Sequence, residues 1–271
     1  MITTDFDPGT PCWLDLGAPD VGAAAAFYGA VLGWDYEPMG GGEDDGEMEG
    51  GVFRKDGRTV AGLGRLTEAG ARSAWMIYYT VTDAAATTVA VERAGGTVRV
   101  PPRDLGEWGR MAQYSDPLGG QFAVWQPGST TGVELVDEPG SLNWTELYTS
   151  DAAAAKEFYG TVLGWSFGDM PLPGGGGEGT YTLITPAGLP EERMQGGLME
   201  VSKEDLALNG GRPYWHPVFA VEDCDAAVAA VTANGGTVQM GPEDAEGVGR
   251  LAVCLDPSNA DFVVLAPGGQ N

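Results

Sequence analysis

Apolar and polar positions along this chain follow two periods that replace one another in a fixed order. Over residues 12–17 the alternation is every second residue, with Leu14 and Leu16 apolar, which predicts a strand buried on one face. A helical stripe comes next, Phe27, Val31 and Leu32, opened by Asp20. The pair recurs as a strand at 74–81 before Asp83. It recurs again before Asp151, with the stripe Phe158, Val162 and Leu163, and once more before Asp223. Aspartate is a favoured N-cap because its carboxylate accepts the orphan N–H groups of the first turn. Gly33, Gly95, Gly164 and Gly235 are the expected C-caps. Further strand-like stretches in the first copy lie at 52–54, 60–66, 111–115 and 121–125. The pattern predicts β-α-β-β-β four times over.

The four units fall into two copies. D-V-G-A-A-A-A-F-Y-G-A-V-L-G-W at Asp20 and D-A-A-A-A-K-E-F-Y-G-T-V-L-G-W at Asp151 stand 131 residues apart. The Gly-Gly-Thr-Val runs at Gly95 and Gly235 stand 140 apart, as do Gly109-Arg110 and Gly249-Arg250, and Asp116-Pro117 and Asp256-Pro257. We therefore expect domains at 1–127 and 142–271 joined by a linker at 128–141. Each would be an α+β domain whose sheet curls into a cup with helices outside. The sequence leaves open which units share a cup. Alternation puts Trp13, Asp15, Gly17, Met76, Tyr78, Gln121, Ala123 and Trp125 on the cup-facing side of the first copy's strands. Their counterparts in the second are Trp144, Glu146, Tyr148, His216, Val218, Asp261, Val263 and Leu265.

Charge removes whole classes of partner. With 39 acidic against 14 basic residues, a net charge of −25 repels phosphate backbones and anionic membranes, so neither nucleic acid nor membrane is expected. The same field concentrates cations near a cleft. No apolar run approaches a bilayer span, and residues 1–10 lack the features of a secretion signal. Three scattered cysteines, Cys12, Cys224 and Cys254, form no C-x-x-C pair. A reduced, cytoplasmic protein is expected. A homodimer, or association with a biosynthetic enzyme, is compatible with the sequence and not demanded by it.

The motifs D-x6-F-Y-x2-V-L-G-W, A/N-G-G-T-V, G-R-x-A and D-P-x-G/N resemble those of the vicinal oxygen chelate superfamily, which holds glyoxalases, extradiol dioxygenases and bleomycin-resistance proteins. The resemblance implies tandem cup-shaped domains. It also implies metal ligands seven residues before each helix-opening Asp, which here are Trp13, Met76, Trp144 and His216. Further ligands would fall at Ala123 and Val263. Only His216 suits a divalent metal, with Glu146 and Glu200 as distant additions. A catalytic site needs about three ligands, so neither a metal nor any other cofactor is expected.

Tryptophan stands at the lost ligand position in both copies, with an acid two residues on: Trp13 and Asp15, Trp144 and Glu146. Indoles are walls for flat molecules, and a carboxylate in an apolar cup calls for a hydrogen bond or a cation. The leading expectation is a metal-free protein binding a bulky planar aromatic, plausibly cationic molecule, through Trp13, Asp15, Met76, Tyr78, Trp108, Gln121, Trp125, Trp144, Glu146, Tyr148, His216 and Asp261. By the resemblance, the role would be antibiotic sequestration, self-resistance or assistance to a biosynthetic oxidation, with an anthracycline as one example of the ligand. The alternative is a lyase, isomerase or hydroxylase-like enzyme of this superfamily using Glu146, His216 or Asp15, with or without a divalent metal. Two bland readings stand beside these: the tryptophans fill the cups as core, and His216 is an interior, hydrogen-bonded histidine. Trp34 and Trp165 are expected to be packing residues. The glycine runs at 40–42 and 174–177, flanked by Met39, Met48 and Met170, read as lids over the cups or equally as plain exposed loops. Gly174, Gly176 and Gly179 match G-x-G-x-x-G but precede a strand, not a helix.

Overall fold

Four β-α-β-β-β units follow one another, as the repeats predict. The computed structural model describes residues 1–39, 50–67, 70–172 and 179–268. The first copy runs β1 (Pro11–Ala18), α1 (Val21–Leu32), β2 (Asp35–Pro38), β3 (Gly50–Lys55), β4 (Arg58–Arg65), β5 (Ala74–Thr80), α2 (Ala84–Arg93), β6 (Thr97–Asp104), β7 (Gly109–Ser115) and β8 (Gln121–Pro127). The second runs β9 (Leu142–Thr149), α3 (Ala152–Leu163), β10 (Trp165–Pro171), β11 (Thr180–Pro186), β12 (Gly196–Glu200), β13 (Tyr214–Ala220), α4 (Cys224–Ala233), β14 (Thr237–Ala245), β15 (Gly249–Leu255) and β16 (Asp261–Pro267). The glycine runs read as lids lie outside the described residues.

Each helix starts where predicted. Asp20, Asp83, Asp151 and Asp223 accept from backbone N–H groups of the first turn. Gly33 and Gly164 are left-handed caps at φ 69° and 71°. The other two endings differ from expectation. The caps are Ala94 and Asn234, and Gly95 and Gly235 follow at φ 85° and 84°. There the helical hydrogen bonding continues one residue further before the left-handed turn.

The open pairing question resolves within each copy. The strand orders are β2-β3-β4-β1-β5-β8-β7-β6 and β10-β11-β12-β9-β13-β16-β15-β14, two mixed eight-stranded sheets. Leu14, Leu16, Leu147, Phe122 and Val124 are wholly buried on the helix side, and Thr145 nearly so. Trp13, Asp15, Trp144, Glu146 and Tyr148 alternate with them, half-buried on the other face. β13 departs from alternation, being buried at every position. It lies inside the sheet and pairs in parallel with β16, the setting in which both strand faces are covered.

The sheets follow the duplication, but the compact units exchange halves. One unit comprises Met1–Trp13, Ile77–Gly132 and Trp144–His216; the other comprises Leu14–Met76, Val133–Asn143 and Pro217–Asn271. The recurring motifs lie where the copies interlock inside each unit. In one, the Trp215 indole N–H donates to Tyr159 Oη at 2.9 Å, and Tyr159 donates to Asp116 at 3.0 Å. In the other, Trp75 donates to Tyr28 at 3.0 Å and Tyr28 to Asp256 at 3.4 Å. The second glycine of each Gly-Gly-Thr-Val run permits this contact. A Cβ on Gly96 would stand 2.9 Å from the Phe158 ring, and one on Gly236 2.9 Å from the Phe27 ring. Trp34 and Trp165 are packing residues as expected, buried and donating to the Gly140 and Gly9 carbonyls. Part of the expected linker is core, since Val133 and Leu135 are buried and Glu134 accepts from the Thr59 N–H at 2.6 Å.

Candidate functional site

The second copy gathers a connected polar and aromatic cluster on the sheet face away from the helices. β9 supplies Trp144, Glu146 and Tyr148, β13 supplies Tyr214 and His216, and β11 supplies Tyr181. Glu146 pairs across the sheet with Gly197 of β12. A Cβ on Gly197 would fall 1.9 Å from Tyr181 Oη, so glycine is what lets the phenol lie over β12 and reach the carboxylate.

The hydrogen bonds form one chain. Trp144 Nε1–H donates to Tyr181 Oη at 2.9 Å, Tyr181 O–H donates to Glu146 Oε1 at 2.6 Å, and His216 Nε2 lies 3.0 Å from Glu146 Oε2. Burial pushes the Glu146 carboxyl up, but the bonds and charge from His216 and the Tyr181 hydroxyl outweigh it and hold the group below its usual range. Burial and the adjacent carboxylate push the Tyr181 phenol well up, so it remains a donor. His216 is fully buried, whereas the Glu146 side chain keeps 18% exposure. His216 Nδ1, on the far side of the ring, is buried with no hydrogen-bond partner among the described residues. The Tyr148 ring meets the imidazole edge-on at 4.7 Å and Tyr214 lies 5.7 Å away.

The first copy has the same frame built from other residues. Trp13 and Asp15 stand on β1, with Asp15 opposite Gly62, and Met76 takes the place of His216. The row Tyr148–Met199–Tyr181 across the second sheet becomes Gly17–Gly64–Gly50 in the first. Glu146 meets its need for hydrogen bonds internally, through Tyr181 and His216. Asp261 is buried and accepts from Arg72 at 2.7 Å in the other compact unit.

The remaining candidates are spread out. Tyr78 is buried and accepts from Gln113 at 3.4 Å. Trp125 is buried, donating to the Thr130 carbonyl at 2.8 Å. Trp108 is half exposed in a single 3₁₀ turn, and Gln121 is exposed at a strand end, where it accepts from Arg99. Glu200 does not belong to the cup: its carboxylate accepts from the Ala152 N–H and so caps α3. Tyr181 and Tyr214 were missed by sequence reading. Tyr214 precedes His216 by two on the same strand, so alternation could have found it; Tyr181 depends on a cross-sheet register that no local pattern carries.

The ligand positions of the family can be tested against these residues. Ala123 and Val263 are buried apolar side chains, and Trp13, Trp144 and Met76 are not hard-metal ligands. Among the described residues no three His, Cys, Asp or Glu side chains converge, and His216 and Glu146 spend their facing atoms on each other. The donor set does not fit a metal of that family.

Comparison with known proteins agrees with the architecture. The family model described as Glyoxalase/Bleomycin resistance protein/Dioxygenase superfamily matches residues 141–264, and a glyoxalase-like domain model matches 13–125. The chain belongs to this superfamily. It is 37% identical to the anthracycline biosynthesis protein DnrV of Streptomyces peucetius, over 97% of this chain and 94% of that one. It is 36% identical, over 98% of each, to CFP32 of Mycobacterium bovis, provisionally a glyoxylase by its name. In fold it is similar to 2,2',3-trihydroxybiphenyl 1,2-dioxygenase from Sphingomonas wittichii, with a TM-score of 0.64 and 18% identity over 97% of this chain and 91% of that one. No helix among the described residues is long and apolar enough to cross a membrane.

Proposed function

We propose that the chain is a metal-independent binding protein for a bulky planar aromatic molecule, acting in an antibiotic biosynthetic pathway. The observation that carries this is the cluster around Glu146: four aromatic side chains and an imidazole on one sheet face, with a carboxylate held ionised among them. Aromatic faces take flat ligands by stacking, while Glu146 offers its remaining lone pairs to a hydroxyl or ammonium donor. The relationship to DnrV supports an anthracycline as the ligand class.

The enzyme reading gains less from the same geometry. A general base works best with a pKa near the working pH, and the partners of Glu146 move it the other way. Doxorubicin is a practical probe. Calorimetric titration is expected to show binding that is unchanged by EDTA and weakened about tenfold or more by Trp144→Ala, the loss of a stacking wall worth roughly 1–3 kcal/mol. Equal affinity in Trp144→Ala would sink the stacking role, and loss of binding in EDTA would return the protein to the metal-dependent members.

A further inference from the structure

A cavity of about 320 Å³ opens on the same face of the second sheet, beside the cluster and separate from its hydrogen-bonded chain. Its floor is Ser166 and Gly168 of β10 with Leu183 and Thr185 of β11. The register sets Ser166 opposite Thr185 and Gly168 opposite Leu183. Its far wall comes from the segment after β11: Leu189, Glu191 and Met194. That wall is tied down. Arg193 bonds Asp5 at 3.0 and 2.6 Å, and the Gln195 amide donates to the Gly9 carbonyl at 2.7 Å. The volume lies at the lower end of small-molecule sites, which run from roughly 300 to 1,000 Å³.

We infer that this cavity is a subsite for an apolar group carrying an ammonium, with Glu191 as its counter-charge. Three observations converge. Leu183, Leu189 and Met194 give the lining an apolar part, beside Ser166 and Thr185. Glu191 is the one ionisable side chain in the lining, and it has no ion-pair partner among the described residues. The chain as a whole has 39 acidic against 14 basic residues, a field that enriches cations at any opening. Position links the subsite to the cluster. Leu183 stands opposite Gly197 and Gly197 opposite Glu146, so the floor lies two strands, about 10 Å, from that carboxylate. Tyr181 and Leu183 are successive residues on one face of β11, about 7 Å apart. A fused ring system covers that span, placing its flat body over the tyrosines and its amine-bearing substituent in the cavity. This deepens the binding reading above and rests on it for the ring, but the cavity itself is tested without the ring.

Gly168 provides the blocking variant. A Cβ built there meets nothing within 4 Å, and the position needs no left-handed backbone, so Gly168→Leu adds bulk at the cavity floor from a position with room for its first atom. The probes are 2-phenylethylamine and the neutral 2-phenylethanol, followed by saturation-transfer NMR and competition. Glu191 is exposed, and the amine is expected to bind wild type about three- to fivefold more tightly than the alcohol, the scale of an exposed ion pair. Glu191→Gln should erase that preference, and Gly168→Leu should weaken both probes about tenfold or more. Absence of amine binding, an amine no better than the alcohol, or unchanged binding in Gly168→Leu would each overturn the subsite. Doxorubicin run in parallel separates the two readings. If it fails to bind while the amine still depends on Gly168 and Glu191, the ring reading falls and the subsite stands.

Discussion

Glu146 shows how one side chain can be largely removed from water and still charged. Isolating a carboxylate from water is costly, and the cost is offset here by two donors that were themselves in need of an acceptor. The consequence is a pH dependence of definite sign. The folded pKa of Glu146 lies below its ordinary value of 4.5, so its contribution is fully present above that pH and is lost as pH falls through the folded value. Asp116 and Asp256 act oppositely, because burial raises both despite the backbone N–H groups they accept from. Total stability mixes these effects; a difference between variants does not. Glu146→Gln is expected to cost about 1–3 kcal/mol at pH 7, and the gap to wild type should shrink below about pH 4.5 in urea unfolding followed at several pH values. A gap that stays constant down to pH 3 would show that charge at Glu146 contributes nothing to the fold.

At the scale of elements, the motifs that mark the family are packing devices. The tyrosine of F-Y-G and the aspartate of D-P come from different copies and meet in the interior, each with a tryptophan behind the phenol. Tyr159→Phe leaves both Trp215 Nε1 and Asp116 Oδ2 without that partner in a buried place. Loss of about 2–4 kcal/mol is expected by thermal or chemical unfolding, since each unsatisfied buried group costs about 1–3 kcal/mol. A loss under 0.5 kcal/mol would mean that water replaces the hydroxyl. The β-α-β-β-β order, the capping aspartates and the buried face of β1 and β9 were legible in the sequence because each depends on a period of two or of 3.6 and on neighbours a few residues away. The Tyr28–Asp256 bond spans 228 residues, and the Tyr181–Glu146 bond depends on β11, β12 and β9 being in register. Neither leaves a local trace. Glu200 looked like a ligand candidate by type alone, and its role as a cap on α3 follows from where β12 ends.

At the scale of the whole molecule, the exchange of halves makes the two copies interdependent. In the unit built on α1, the aromatic neighbours of Phe27, Tyr28 and Trp34 include Phe262 and Phe219, both from the second copy, at 5.2–6.0 Å. In the other unit, Phe158, Tyr159 and Trp165 pack on Phe122 and Tyr79 of the first. A first copy expressed alone, residues 1–127, would therefore expose Phe27 and Tyr28 on one half and Phe122 and Asp116 on the other. These two surfaces are copies of the two that normally meet, so a second molecule supplies the missing partner: Tyr28 of one against Asp116 of the other, with the symmetric contact closing the pair. The fragment is thus expected to fold only as a homodimer, with a Tm that rises with protein concentration and a mass by light scattering twice that of the chain. The Tyr28→Phe fragment should dimerise more weakly. A fragment that is folded, monomeric and concentration-independent would show that each eight-stranded sheet with its own two helices is self-sufficient, and that the interlock adds stability without being required for folding.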